Sequence, residues 1–466
     1  MKDLQILVVP MHSKQDINAD SNYVVYTELI KAMRVVRPDW HFVVIFPDAK
    51  SGFSYADDNF FKLPNVTRVP QRISPRKMAS SISYDGNWHD ALFRQYAFDI
   101  VWANLVEVAG HLAFAGQNSF AASGRPVVVA AHHYVIHESL STPMETMLNV
   151  AFAQVMGASL ADHNVFNSEW CRKMFFETAS KWLNEEAKES IKKKGSVMPL
   201  GPLDSSFAPV FHDHDVPIIA YNHRLQGYKS PKETFQVLQE LWDEGLRFRL
   251  RYMNNTMENV SQIAHYPFVE VKLCPTRTDY LRELQGCDLN VSNSKYETFG
   301  ISAVESMAFG QPIVAPNGST FPEITGAHAG LDYPYLFGNI EQQKIILRRL
   351  LQDKEERKRW GLKLSEYTRK EYGSKLWAQR YASLFEKLND FPLNSSEDAR
   401  AFVAEQLERH SGCTVQDFYK AVAHQRVGDR VPYSNQSLAF PKLIRIVRKL
   451  GGRVVMEKGV QKIYAE

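Results

Sequence analysis

The stretch Tyr296-Glu297-Thr298-Phe299-Gly300-Ile301-Ser302-Ala303-Val304-Glu305 decides how this chain folds. Its two carboxylates stand eight positions apart, with Phe299-Gly300 between them. Cys287-Asp288-Leu289-Asn290-Val291 precedes it, and Ser306-Met307-Ala308-Phe309-Gly310-Gln311-Pro312-Ile313-Val314-Ala315 follows. The order reads as strand, tight loop, helix, Gly stop, Pro and next strand. Thr298, Phe299, Gly300 and Ile301 then stand at a helix N-terminus, whose unpaired backbone N–H groups can seat a phosphate. At helical spacing Glu305 shares a face with Ile301, Ala308 and Phe309, where a carboxylate is costly unless it is hydrogen-bonded. A nucleotide ribose would do that, and so would a buried salt bridge on the helix.

At 466 residues with 44% hydrophobic content, the chain exceeds one core and implies two or three domains. No apolar run reaches the ~20 residues of a membrane span. Leu4–Pro10 reads as a first buried strand, being too short and poorly flanked for a signal peptide. Cys171, Cys274, Cys287 and Cys413 lack metal-ligand spacing, which suits reduced thiols in a cytoplasm, host cytoplasm if the protein is viral. The net charge of +3 is unevenly spread: from His424 to the end stand nine Lys/Arg and three acids, leaving the body mildly acidic.

Short apolar runs alternate with helical patterns, the signature of a parallel, doubly wound sheet. The first set of strands is expected at Gln5–Val9, His41–Phe46, Ile100–Ala103, Pro126–Ala131 and His163–Asn167, with helices such as Val24–Val35 and Thr146–Ala158. A pause at Phe207–Asp215 precedes a second set at Pro217–Tyr221, Phe248–Tyr252, Val269–Leu273, Asp288–Ser292 and Ile313–Ala315, closed by helices over 340–388. Beyond the linker Phe391–Ser396, helices are expected near 397–409, 414–424 and 440–450, then a hairpin of Arg453–Met456 and Val460–Tyr464.

Several segments, in order, resemble retaining nucleotide-sugar glycosyltransferases with two Rossmann-like domains, in particular glycosyltransferase family four. Pro126–His132 looks like the strand that ends in the family's active-site His, and Val165–Ser168 like its Asn/Ser-terminated strand. Pro199–Phe207 resembles the segment entering the second domain, and Arg224-Leu225-Gln226-Gly227-Tyr228-Lys229 its Arg-x4-Lys pair. Glu297 through Glu305 looks like its Glu-x7-Glu, and Asn317-Gly318 with Pro322-Glu323-Ile324 like the following loop. The likeness runs from about Pro126 to Leu388 and omits the tail.

The resemblance implies an α/β, GT-B architecture: residues 1–215 an acceptor domain, 216–390 a donor domain and 397–466 a small, winged-helix-like α+β appendage. It implies hexosyl transfer with retention of configuration from a UDP- or GDP-linked sugar, without an essential metal or other cofactor. Arg224 and Lys229 would meet the diphosphate, whose negative charge grows as the glycosidic bond breaks. Glu297 would act at the sugar and anomeric region, Glu305 at the ribose and His132 at the sugar or acceptor. His132, His133 and His137 lack a Cys or carboxylate spaced to complete a metal site. The Asp-x-Asp in His212-Asp213-His214-Asp215 reads as a solvated turn. Unlike many family members, the loop Met11–Asn22 has no glycine.

The acceptor is expected to be a nucleic acid, DNA favoured over RNA. Phe440, Leu443, Ile444, Val447 and Leu450 form an apolar stripe with cations at other angles. This helix and the hairpin resemble a winged-helix module, with Arg445, Arg448, Lys449, Arg453 and Lys458 as nucleic-acid contacts. A basic helical cap is the alternative reading. Asn222-His223-Arg224 also resembles a segment of transferases that mannosylate the queuosine base in tRNA. The fullest expectation resembles phage enzymes that glycosylate 5-hydroxymethylpyrimidines in DNA. A cell-surface glycan or metabolite transferase, and an inactive nucleic-acid-binding module, are the competing classes.

Overall fold

The computed structural model describes residues 4–10, 21–48, 50, 59–78, 81–84, 88–89, 92, 98–118, 126–136, 144–179, 181–257, 259–389, 404–414, 417–418, 421, 447, 451–457 and 460–465. Two parallel sheets dominate, each the core of a Rossmann-like domain. The first contains β1 (Gln5–Val9), β2 (His41–Pro47) and β3 (Val66–Gln71), and β3 leads into an antiparallel ribbon of β4 (Ile73–Met78) and β5 (Ser81–Tyr84). The same sheet continues with β6 (Ile100–Ala103), β7 (Val127–His132), β8 (His163–Phe166) and β9 (Gly195–Val197), in the order β3-β2-β1-β6-β7-β8-β9. Runs such as Val127–Ala131 are buried throughout because helices cover both faces of a parallel sheet.

The second sheet comprises β10 (Ile218–Tyr221), β11 (Arg249–Asn254), β12 (Val269–Leu273), β13 (Leu289–Val291), β14 (Ile313–Pro316) and β15 (Leu336–Phe337). Its order, β12-β11-β10-β13-β14-β15, reverses direction beside β10, which leaves a crevice at the strand ends. The loops after β10 and β13 carry Arg224, Lys229 and Glu297 to that crevice.

The expected strands are present, with ends shifted by a residue or two. The sequence reading omitted β3, β9, β15 and the β4–β5 ribbon. It also gave the last long helix, Ser374–Asn389, to the second domain, whereas this helix packs on the helix Ser21–Val36 of the first. Trp40 stacks on Phe385 at 6.1 Å, Trp102 meets Tyr381 at 5.6 Å, and Arg37 pairs with Glu386. Burying those rings ties the helix that follows the second domain's sequence back to the first domain.

In the tail, β17 (Arg453–Glu457) and β18 (Val460–Tyr464) form the expected antiparallel hairpin, and β16 (Cys413–Thr414) adds a third strand. Arg453 is exposed at the start of β17. Arg445, Arg448, Lys449 and Lys458 lie outside the described residues, as do residues 11–20 of the first loop and His137. Among the described residues, no helix is long and apolar enough to cross a membrane.

Candidate active site

Between the domains lies a cleft of about 480 Å³, whose floor is the Tyr296–Glu305 segment. Gly300 caps the helix Ile301–Ala308 in the left-handed region, at φ 78° and ψ 59°. A side chain there would be strained, and its Cβ would stand 3.2 Å from Glu297 Cγ. This turn aims the first N–H groups of the helix into the cleft, which Thr298, Phe299, Gly300, Ile301 and Ser302 all line.

Arg224 precedes a short 3₁₀ turn after β10, Gly227–Lys229, which Lys229 ends, and both reach the cleft. Lys229 is buried, and its Nζ donates to Glu297 Oε2. Glu297 is fixed at its backbone by Ser319, which accepts from the Glu297 N–H at 2.7 Å and donates to the Glu297 carbonyl at 2.6 Å. The cleft thus gathers two cations, a carboxylate and a helix N-terminus, a set that can hold a diphosphate and a polar ligand beside it.

Glu305 lines the same cleft but is 1% exposed, and both of its oxygens are engaged. Arg277 Nη2 donates to Oε1 at 2.6 Å and the Tyr280 hydroxyl to Oε2 at 3.0 Å. A carboxylate offers about four acceptor positions, so this pairing leaves room for a ribose hydroxyl. Arg277 and Tyr280 are site residues that the sequence reading missed. A signal was present: Thr276 with Asp279 is a capping pair, and the Asp279 N–H donates to Thr276 Oγ1 at 3.1 Å, starting a helix at the cleft rim. Asn222 donates to the Tyr280 hydroxyl at 3.0 Å and accepts from Asn290 at 3.1 Å, anchoring the loop that carries His223 and Arg224.

His132 requires a correction. It is fully buried inside the first domain, stacked on Phe166 at 4.1 Å and edge-on to Phe175 at 4.9 Å. Its Nε2 bonds Asn164 Oδ1 at 2.9 Å, and burial holds its pKa down to about 4 despite that bond. The neighbouring His133 lines the cleft instead. Successive side chains at a strand end face opposite ways, so one position separates core from site. His133 Nε2 bonds Asn104 Oδ1 at 2.9 Å. Burial, then the proximity of His132, lowers the His133 pKa to about 3, so the ring is neutral near pH 7. His223, also in the cleft, is held well below its ordinary value, chiefly by burial and then by Lys229.

Thr298 bridges the domains. Its hydroxyl donates to the His133 carbonyl at 2.6 Å, and its carbonyl accepts from Ser168 at 2.5 Å. The Tyr296 hydroxyl donates to the Val135 carbonyl. Glu323 accepts from the Glu169 N–H at 3.0 Å, capping a first-domain helix from the second. None of His212, Asp213, His214 or Asp215 lines the cleft: Asp213 pairs with Lys354, and His214 bonds Asp288 at 2.9 Å. No group of three His, Cys, Asp or Glu able to hold a metal occurs among the described residues.

Residues 204–366 match the family model described as glycosyl transferases group 1, a span that contains every cation and carboxylate of the cleft named above. A tRNA-queuosine alpha-mannosyltransferase of Drosophila melanogaster is 21% identical over 299 residues, covering 59% of this chain and 75% of the relative. Sucrose-phosphate synthase from Thermosynechococcus elongatus superposes with a TM-score of 0.61 at 15% identity, over 83% of this chain and 99% of that one. HepE of Anabaena, solved with UDP-glucose, gives 0.59 at 15% identity, over 82% and 100%. Together, the family match, the GT-B fold and the contents of the cleft support a group 1 glycosyltransferase that uses a nucleotide-sugar donor.

Proposed function

We propose that the protein is a retaining hexosyltransferase that moves a sugar from a UDP- or GDP-linked donor to a hydroxyl on a nucleic-acid base. The observation that carries the transfer is that one cleft is lined by Arg224, the Ile301 helix end and the paired Lys229 and Glu297. In this reading Arg224 and Lys229 neutralise the departing diphosphate, and the helix N-terminus donates to it. Lys229 is held by Glu297 until the donor arrives, then shifts its charge to the phosphate. That frees Glu297 to meet the sugar near the anomeric carbon. Glu305, steadied by Arg277 and Tyr280, receives the ribose.

Retention follows from the family resemblance, with the leaving phosphate taking the proton of the incoming hydroxyl on the same face. The carboxylate-separation rules of glycoside hydrolases do not carry over. No metal is assigned a role, so chelators leave turnover unchanged. His133, neutral and facing the cleft, takes the sugar or acceptor role that the sequence reading gave to His132.

The base acceptor is supported by the resemblance of Asn222-His223-Arg224 and by similarity to a protein named for mannosylating a tRNA base. In its most concrete form the acceptor is the hydroxymethyl group of a 5-hydroxymethylpyrimidine in DNA, a primary hydroxyl that can be flipped into a cleft. The relative favours a second reading, a hydroxyl on a modified base in tRNA. Mass spectrometry of nucleosides from hydroxymethylated DNA and from bulk tRNA, each incubated with UDP- and GDP-sugars, separates the two. Proton NMR of the product reports the anomer. Transfer only to glycans or metabolites, or inversion of configuration, refutes the proposal.

A further inference from the structure

From Asn59 to Tyr84 the chain carries five cations, Lys62, Arg68, Arg72, Arg76 and Lys77, and no acid. Over the whole chain acids and bases nearly balance, 52 against 55, so five cations with no acid in 26 residues stand out, as the tail run from Arg430 to Met456 also does. This segment forms the outer edge of the first sheet, β3, and the antiparallel ribbon β4–β5 that leaves it. Lys62 and Arg72 are exposed. The Arg68 guanidinium lies 4.9 Å from the Phe46 ring and donates to the Pro47 carbonyl at 3.4 Å, which fixes it beside the C-terminal end of β2.

The parallel sheet decides which way this edge faces. Strands β3, β2, β1, β6 and β7 all run in one direction, so their C-terminal ends share one side. The residues that follow β7, His133 and Tyr134, line the cleft, and so do Ser21 and Asn22 beyond β1. Gln71, Arg72 and the ribbon therefore depart from the cleft side of the sheet. Strand order sets the reach: β3 stands four strands from β7, on the order of 20 Å at normal strand spacing. A base seated in the cleft would have neighbouring phosphates within that distance.

We infer that β3 and the β4–β5 ribbon form a binding surface for the phosphodiester backbone of the acceptor, an inference that rests on the base-acceptor reading above. Edge strands also carry charge and proline to prevent edge-to-edge pairing, and Pro70 fits that purpose. Protection of an edge needs no particular sign, however, and β3 ends at Gln71 while the cations continue through Arg72, Arg76 and Lys77. The surface reads no sequence. It holds the polyanion so that one base can enter the cleft.

The test uses the full chain with its tail intact, comparing wild type with Arg72→Ala/Arg76→Ala/Lys77→Ala and with Arg72→Lys/Arg76→Lys. Binding to labelled bulk tRNA, to a hydroxymethylated duplex and to heparin is followed by anisotropy between about 50 and 200 mM salt. Donor hydrolysis without acceptor reports folding. The alanine variant should keep donor hydrolysis and lose about 2 to 3 from the magnitude of its log–log salt slope, at 0.7–0.9 per phosphate contact. The lysine variant should retain the slope, because a phosphate contact needs only the charge. Nucleic-acid binding with an unchanged slope in the alanine variant overturns this surface while leaving the base-acceptor reading intact. Failure of the wild type to bind either nucleic acid, or binding to heparin alone, overturns both.

Discussion

Lys229 and Glu297, which lie 68 residues apart in sequence, form an ion pair inside the cleft. Their side chains are only 11% and 16% exposed, so the pair is well shielded from solvent. A bound diphosphate would compete with Glu297 for the same ammonium.

Replacing Lys229 or Arg224 with Ala should therefore lower kcat by roughly 10²–10³, the usual cost of losing one donor to a developing anion. Acceptor KM should change little. Steady-state kinetics with donor and acceptor varied separately checks this, and near-normal kcat in both variants would show the diphosphate to be elsewhere.

Glu305→Gln should mainly raise the donor KM, since the amide oxygen accepts hydrogen bonds more weakly than a carboxylate and loses the charge that holds Arg277. Arg277→Lys should raise the donor KM less, because it keeps the charge but not the planar fork. A large fall in kcat with unchanged KM in Glu305→Gln would place this carboxylate at the reacting centre instead.

The two adjacent histidines should separate cleanly. His132→Ala removes a buried ring packed on Phe166 and Phe175, so it should cost about 3 kcal/mol or more in stability, in the range of large-to-small core changes. His133→Ala should cost less stability than His132→Ala and reduce turnover. Thermal melts paired with kinetics decide it; the reverse pattern would return the role to His132.

Glu107 provides a pH prediction. It is buried in the first domain, accepts from the Tyr134 hydroxyl, and has one oxygen without a hydrogen-bond partner among the described residues. Burial raises its pKa above the ordinary carboxylate value, against the bonds from Tyr134 and Gln154. The folded state thus holds a proton that the unfolded state has released, and stability falls as pH rises from the unfolded pKa through the folded one. Glu107→Gln should remove that fall and unfold at higher denaturant above the window. Denaturant melts across pH 4–9 (a range of about five units) read it out, and an unchanged slope for the variant would exclude Glu107 as its source.

Neutralising Arg445, Arg448, Lys449, Arg453 and Lys458 together should flatten the salt dependence of duplex binding, by about 0.9 for each cation that meets a phosphate. The same variant should hydrolyse donor normally. If the slope and affinity stay at wild-type values, the tail is a structural cap.

Local sequence determined much of this protein. The fully apolar runs Ile6–Val9 and Val127–Ala131 are buried on both faces, so they specify parallel strands without help from distant residues. The Phe299-Gly300 turn specifies its helix start, because only glycine sits easily at that φ. Arg224, Lys229 and Glu297 were legible because they lie in loops that follow strands of a sheet whose crevice collects strand ends, and Glu305 because it stands one turn into the helix that such a loop starts.

Tertiary structure decided what depends on a partner far along the chain. Which of His132 and His133 faces the cleft turns on a single step at a strand end, and the alternation of side chains settles it only once Phe166 and Phe175 are in place. The partners of Glu305 come from a separate helix, Arg277–Gln285, whose position no local pattern encodes. Ser374–Asn389 presents an apolar face that either domain could bury. Trp40, Trp102 and the salt bridge from Arg37 choose the first, because they offer it buried rings and an opposite charge.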